Sequence, residues 1–173
     1  MTILEILKYT LPALIVLITA YSLLKSFLNS ELKKVQLKLR MNNQKEVLPM
    51  RLQAYERLTL FLERIKPHNL IPRIAEPSMS ATELRMALVV AIKAEYEHNL
   101  SQQLYVSVKA WQTLTLVKDN MIQMVNALGS RVPQQATAQD FSKIILNYVL
   151  ENEEEQPTEQ ALDVLKQDVL KLF

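Results

Sequence analysis

Apolar residues follow two regimes along this chain. From Thr10 to Asn29 they run almost unbroken (TLPALIVLITAYSLLKSFLN), whereas from Leu48 onward they recur every three or four residues among polar ones. The first regime predicts a helix that is apolar on every side. The second predicts amphipathic helices sharing a core. Residues 29–66 are read as a juxtamembrane helix that Pro49 kinks or restarts, followed by an amphipathic helix with Leu52, Tyr55, Leu58, Leu62 and Ile65 on one face. Val35, Leu37, Leu39 and Met41 also alternate as a strand would, but the stretch is poor in β-branched residues, which favours helix.

Pro67, Pro72 and Pro77 predict a docked loop over residues 67–79, pinned by Leu70, Ile71 and Ile74. A capping box at Ser80 and Glu83 opens a long or bent helix pair over 80–128, with a break near His98–Ser101 where Asn99 and Gln102 repeat the capping pattern. Beyond the break, Leu104, Val108, Trp111, Leu114, Met121, Val125 and Leu128 form one stripe, and Gly129 and Pro133 stop the helix. Thr137 caps a helix over 137–150 carrying Phe141, Ile144, Ile145, Tyr148 and Val149. The acidic run ENEEEQ reads as a connector to a C-terminal amphipathic helix, 157–173, with Leu162, Leu165, Val169 and Leu172 at coiled-coil spacing. The expected fold is all-α, a bundle of about four or five helices.

The opening stretch decides where that bundle is expected to reside. Tyr9 to Leu24 is 16 residues without a charge, and the run extends to Leu28 if Lys25 snorkels. About 20 helical residues cross the roughly 30 Å hydrocarbon layer. Residues 1–28 are therefore expected to form a transmembrane anchor contacting lipid through residues 9–28. A cleaved signal peptide fits less well, because Glu5 dilutes the basic start and no small-x-small cleavage point follows. The basic flank Lys25, Lys33, Lys34, Lys38 and Arg40 then predicts an inner-membrane protein with its N-terminus outside and residues 29–173 in the cytoplasm.

Composition narrows the chemistry. There is no cysteine, which excludes disulfides and thiolate sites, and a lone glycine, Gly129, cannot build a phosphate loop, a dinucleotide fingerprint or a nucleophile elbow. The net charge of +2 conceals a gradient: +7 over residues 1–73, 0 over 74–133 and −5 over 134–173. The basic part lacks interleaved aromatics and so suits anionic headgroups better than nucleic acid.

Glu95 and His98 stand three apart, half of a carboxylate-bridged di-iron pattern. The second half is missing, since His68 follows Pro67 in the expected loop. No metal, cofactor or catalytic residue is expected. The candidate contact residues are Glu95, His98, Asn99, Gln102, Gln103 and Trp111, an unusual mixture of amides with aromatic and aliphatic residues; its bland reading is a polar network inside a helix bend.

At LPMRLQAYERLTLFLERI (48–65) and EYEHNLSQQLYVSVKAW (95–111) the chain resembles a family of small bacterial proteins with one N-terminal transmembrane helix and a helical cytoplasmic region. That family has no assigned activity, so the resemblance implies architecture alone. A looser likeness, to the peripheral-stalk subunit of rotary ATP synthases, is set against by the prolines at 67, 72 and 77. The expected function is a non-enzymatic, membrane-anchored scaffold or adaptor assembling a protein complex, with a protein partner or a homo-oligomer. The competing reading is a membrane-bound enzyme or sensor with a ligand pocket near Glu95, His98 and Trp111.

Overall fold

The computed structural model describes residues 3–152 and 156–172, with side chains of 1–13 and 39–45 left aside. The chain divides into two units, Met1–Val47 and Leu48–Phe173. The described residues form six α-helices, α1 (Ile3–Ile65), α2 (Pro67–Ile74), α3 (Ala81–His98), α4 (Val108–Gly129), α5 (Ala138–Glu151) and α6 (Pro157–Leu170), with a 3₁₀ turn at Leu100–Leu104 between α3 and α4. The expected all-α class is correct. The strand alternative for residues 35–41 is resolved as helix, because that stretch lies within α1.

In the first unit, α1 exposes every described side chain from Leu14 to Lys38 except the half-buried Glu31. The expected membrane span is corrected here: among the described residues no helix is long and apolar enough to cross a membrane. Within α1 the uncharged run, Tyr9 to Leu24, is sixteen residues before Lys25, about 24 Å of helix against a layer of roughly 30 Å. Asn29, Ser30 and Glu31 follow, and Glu31 pairs with Lys34 at 2.8 Å. Tyr9 to Ala13 belong to α1, but their side chains lie outside the described residues, as does that of Arg40. The inner-membrane location and the N-out orientation fall with the span, and Lys25, Lys33, Lys34 and Lys38 become exposed helix-surface cations.

The second unit is a packed helical body. The C-terminal part of α1 buries Ala54, Tyr55, Leu58, Phe61, Leu62 and Ile65, a stripe at alternating three- and four-residue steps. Ala81, Leu84, Leu88 and Ile92 face it from α3, and Ala110, Leu114, Val117, Met121, Val125 and Leu128 from α4. α4 packs chiefly on α3 and α6, while α5 lies against α3 and α2. Leu104 and Val108, expected at the head of the α4 stripe, are 79% and 74% exposed, because the stripe begins only at Ala110.

The expected loop at 67–79 is mostly helix. Pro67 occupies the first turn of α2, where a missing N–H costs nothing, and Pro67, Leu70 and Ile71 are buried. Two of the expected caps, at Ser80 and Thr137, exist, and they are neighbours. Ser80 and Glu83 form one capping box, Thr137 and Asp140 another, and the two segments pair as an isolated antiparallel bridge. Ala81 N–H donates to Ala136 C=O and Ala138 N–H to Met79 C=O, each at 3.0 Å. Each helix start thereby satisfies a donor that its own helix leaves unpaired.

Gly129 ends α4, but not through a left-handed turn: its φ is negative, and Ser130 continues in the right-handed region. A Cβ there would run into the Arg85 side chain and lie 3.4 Å from Phe141 Cζ. The glycine serves close approach of α4 to α3 and α5.

α6 closes the body by burying Ala161, Leu162 and Leu165, with Val169 and Leu172 packed against the core. Its heptad spacing is satisfied within its own chain. Leu165→Ala should cost about 2–5 kcal/mol, lowering Tm by about 4–20 °C in calorimetry. Deletion of residues 157–173 should abolish cooperative melting, since it uncovers α4.

Candidate functional site

The stretch that sequence patterning singled out, residues 95–111, forms the exit from α3, the 3₁₀ turn and the start of α4. Its expected break is present, but the cap is elsewhere. Asn99 makes no capping bond; it is buried and its amide donates back to Glu95 C=O at 2.8 Å. Ser107 caps α4 instead, its Oγ accepting from Ala110 N–H at 3.0 Å.

Ser107 belongs to a closed polar node. Its hydroxyl donates to Asp168 Oδ2 of α6, its backbone N–H donates to the Tyr55 hydroxyl at 3.2 Å, and that hydroxyl donates in turn to Asp168 Oδ2 at 3.4 Å. Lys171 Nζ donates to the other carboxylate oxygen at 3.0 Å. Each hydroxyl both gives and receives. One buried carboxylate thus ties α1, the α4 cap and α6 together. Beside it, Arg51 Nε donates to Tyr105 C=O at 3.1 Å, fastening the turn to α1 a second time.

Burial pushes the Asp168 carboxyl up, but the hydrogen bonds from Ser107, Lys171 and Tyr55 outweigh it and hold it below the usual carboxylate range. At the other end of α6, Lys66 is buried between Glu63 (2.7 Å) and Glu159 (2.6 Å). Burial pulls its ammonium down, and the bonds to Glu159 and Glu63 more than reverse this.

Glu95 and His98 are brought to one surface, as their spacing requires. Both line two adjoining grooves of 550 and 290 Å³ whose walls share Arg64. Glu95 is not available as a base or ligand, because Arg64 Nε (3.1 Å) and Arg73 Nη2 (3.6 Å) already hold it. His98 is exposed. Trp111 lines neither groove; it stacks on Tyr96 with ring centroids 5.3 Å apart, in a cluster with Phe61 and Lys118. Tyr96 donates to Thr115, whose hydroxyl is itself spent on Trp111 C=O. Among the described residues the Gln102 side chain bonds only to its neighbour Ser101, and Gln103 is exposed. The six candidates therefore converge only in part: Glu95, His98 and Asn99 line one groove, Asn99 with its amide spent on Glu95 C=O, whereas Trp111, Gln102 and Gln103 line neither groove.

Sequence reading missed Tyr55, Ser107, Asp168, Arg64 and Arg73. Ser107 was the findable one, as a serine directly before an uninterrupted helical pattern, but no Glu or Gln stands at its N3 position to complete a capping box. Asp168 looks like an ordinary polar residue between heptad leucines, and only tertiary packing buries it.

Around this framework the turn presents its apolar side chains outward. Leu100, Leu104, Tyr105 and Val108 are all exposed. Among the described residues the architecture is helical throughout, which makes this an all-α protein. The chain belongs to a family of unknown function (DUF7935), whose model matches residues 1–172. No curated protein and no solved structure matches it.

Asp168 sets a pH dependence of known sign. Its folded-state carboxyl is depressed, so its contribution is complete above the unfolded value of about 3.9 and is lost as pH falls through the lower folded value. Asp168→Asn should lower stability at neutral pH by about 1–3 kcal/mol and flatten the acid limb of the stability curve, as urea titration from neutral to acid pH would show.

Proposed function

We propose that the protein is a non-enzymatic helical scaffold or adaptor whose contact surface is the α3–α4 turn. The observation carrying this reading is the pairing of exposure with rigidity. Leu104 (79% exposed) and Val108 (74%) stand beside Leu100 and Tyr105, while the backbone beneath them is held by Arg51, Tyr55 and Asp168. Exposed apolar side chains raise solubility cost wherever they cluster, and a fixed cluster loses little further entropy when covered. The matching partner is a protein presenting an apolar helix face.

A ligand pocket built on Glu95, His98 and Trp111 has less in its favour. Two arginines neutralise the carboxylate, and the indole is occupied by Tyr96.

A photo-cross-linking residue placed at Tyr105 should give a discrete protein adduct in cells, and one placed at the exposed Lys143 should not. Leu104→Lys with Val108→Lys should remove the adduct while shifting stability by no more than about 0.5 kcal/mol per site, because both side chains are exposed. An adduct that survives the double substitution, or that appears equally at Lys143, defeats the proposal; an adduct with a second copy of this chain makes the scaffold self-assembling.

A further inference from the structure

The N-terminal unit carries an apolar stripe that its own helix cannot bury. Along α1, Leu14, Ile18, Tyr21, Leu28, Leu32 and Val35 recur at alternating four- and three-residue steps, with Lys25 taking the step between Tyr21 and Leu28, and all six apolar residues are exposed by more than half. These are the two core positions of a heptad, held over about three repeats and about 33 Å of helix. A neighbouring stripe through Leu17, Leu24 and Leu28 does not continue, because its next position is Glu31, already paired with Lys34 at 2.8 Å. The seam also has the relief that pairing requires: a groove of 310 Å³ is lined by Tyr21, Leu24, Lys25, Leu28, Asn29 and Leu32. In a coiled coil each core side chain enters a hole between four residues of the facing helix. Tyr21, Leu24, Lys25 and Leu28 make one such hole, and Lys25, Leu28, Asn29 and Leu32 make the next, which accounts for all six residues of the groove.

We infer that this seam pairs with the same seam of a second copy of the chain, the two helices running antiparallel. Successive holes are filled only by side chains that arrive at the same alternating steps, and the stripe itself supplies them. Lys25 decides the direction. Parallel pairing places the two Lys25 ammonium groups in one desolvated layer and brings the basic halves of both helices, with Lys33, Lys34 and Lys38, to the same end. Antiparallel pairing sets each Lys25 against an apolar seam residue of the other copy, and lays the basic half of one helix beside the uncharged Leu14–Leu24 half of the other. The Lys25 ammonium already lies over the Tyr21 ring, 5.9 Å from its centroid, so its stem covers apolar surface while its charge stays at the edge of the seam. A polar residue at a single core position weakens such a pair and fixes its register and number of strands.

The test is sedimentation of the full chain at neutral pH, which should give twice the 20.0 kDa mass of one copy. Leu28→Glu with Leu32→Glu should raise the dissociation constant at least about a hundredfold. Leu23→Glu with Leu37→Glu, the same change at comparably exposed positions on the opposite side of α1, should leave the dimer intact. The chain has no cysteine, so a single introduced cysteine takes one spin label per copy. Labels at Ser26, near the middle of the seam, should lie within about 25 Å of each other, and labels at Leu37, beyond its end, more than about 30 Å apart. A monomer, a species heavier than a dimer, association that survives Leu28→Glu with Leu32→Glu, loss of the dimer on Leu23→Glu with Leu37→Glu, or similar label distances at the two sites overturns the inference. Loss of the dimer on Leu104→Lys with Val108→Lys also overturns it, by moving the contact to the α3–α4 turn, whose own test is the cross-linking at Tyr105.

Discussion

The body of this protein is organised around a carboxylate that cannot be left alone. Asp168 is buried on α6, and an unpaired charge there would cost several kcal/mol, so its oxygens collect donors from three parts of the chain. Tyr55 belongs to α1, Ser107 to the cap of α4 and Lys171 to the end of α6 itself. Satisfying one group therefore sets where α6 lies and where α4 begins. The Tyr55 hydroxyl closes the ring by accepting the Ser107 N–H, so no member can move without stranding another. Lys66 does the corresponding work at the other end of α6, between Glu63 and Glu159.

From that node the properties of the surface follow. The α3–α4 turn is short of intrinsic regularity, a 3₁₀ stretch with poor hydrogen-bond geometry, and would be soft in isolation. Anchored by Ser107 and by Arg51 on Tyr105 C=O, it holds Leu104 and Val108 outward with little freedom. The paired capping boxes fix the opposite ends of α3 and α5 in the same manner, by exchange of backbone hydrogen bonds between two helix starts. Fixed helix ends and a fixed turn are what the proposed contact surface requires.

Much of this was legible along the chain. α3, α4 and α5 are marked by three- and four-residue apolar steps, and two of their starts can be read directly, from the Ser80–Glu83 capping box and from Thr137 as a cap. Local chemistry sufficed there, since a cap and its acceptor lie within one turn of each other. The same local reasoning failed at Pro72, where a proline inside α2 was taken for a breaker although the buried Leu70 and Ile71 hold the helix in place. It failed again for the apolar stretch ahead of Lys25: among the described residues no helix is long and apolar enough to cross a membrane.

The sequence by itself determined most of the helical segments and most of each apolar face, α2 and the head of α4 excepted, because both depend on residues within a few positions of one another. Tertiary structure alone decided that Asp168, 61 residues from Ser107 and 113 from Tyr55, is a buried hub and not a solvated heptad polar residue. It decided that Glu95 is consumed by Arg64 and Arg73 and that Trp111 turns towards Tyr96. Those outcomes depend on which helix faces meet. Apolar stripes of similar width and spacing are interchangeable as patterns, and only the desolvation cost of particular polar groups selects among their packings.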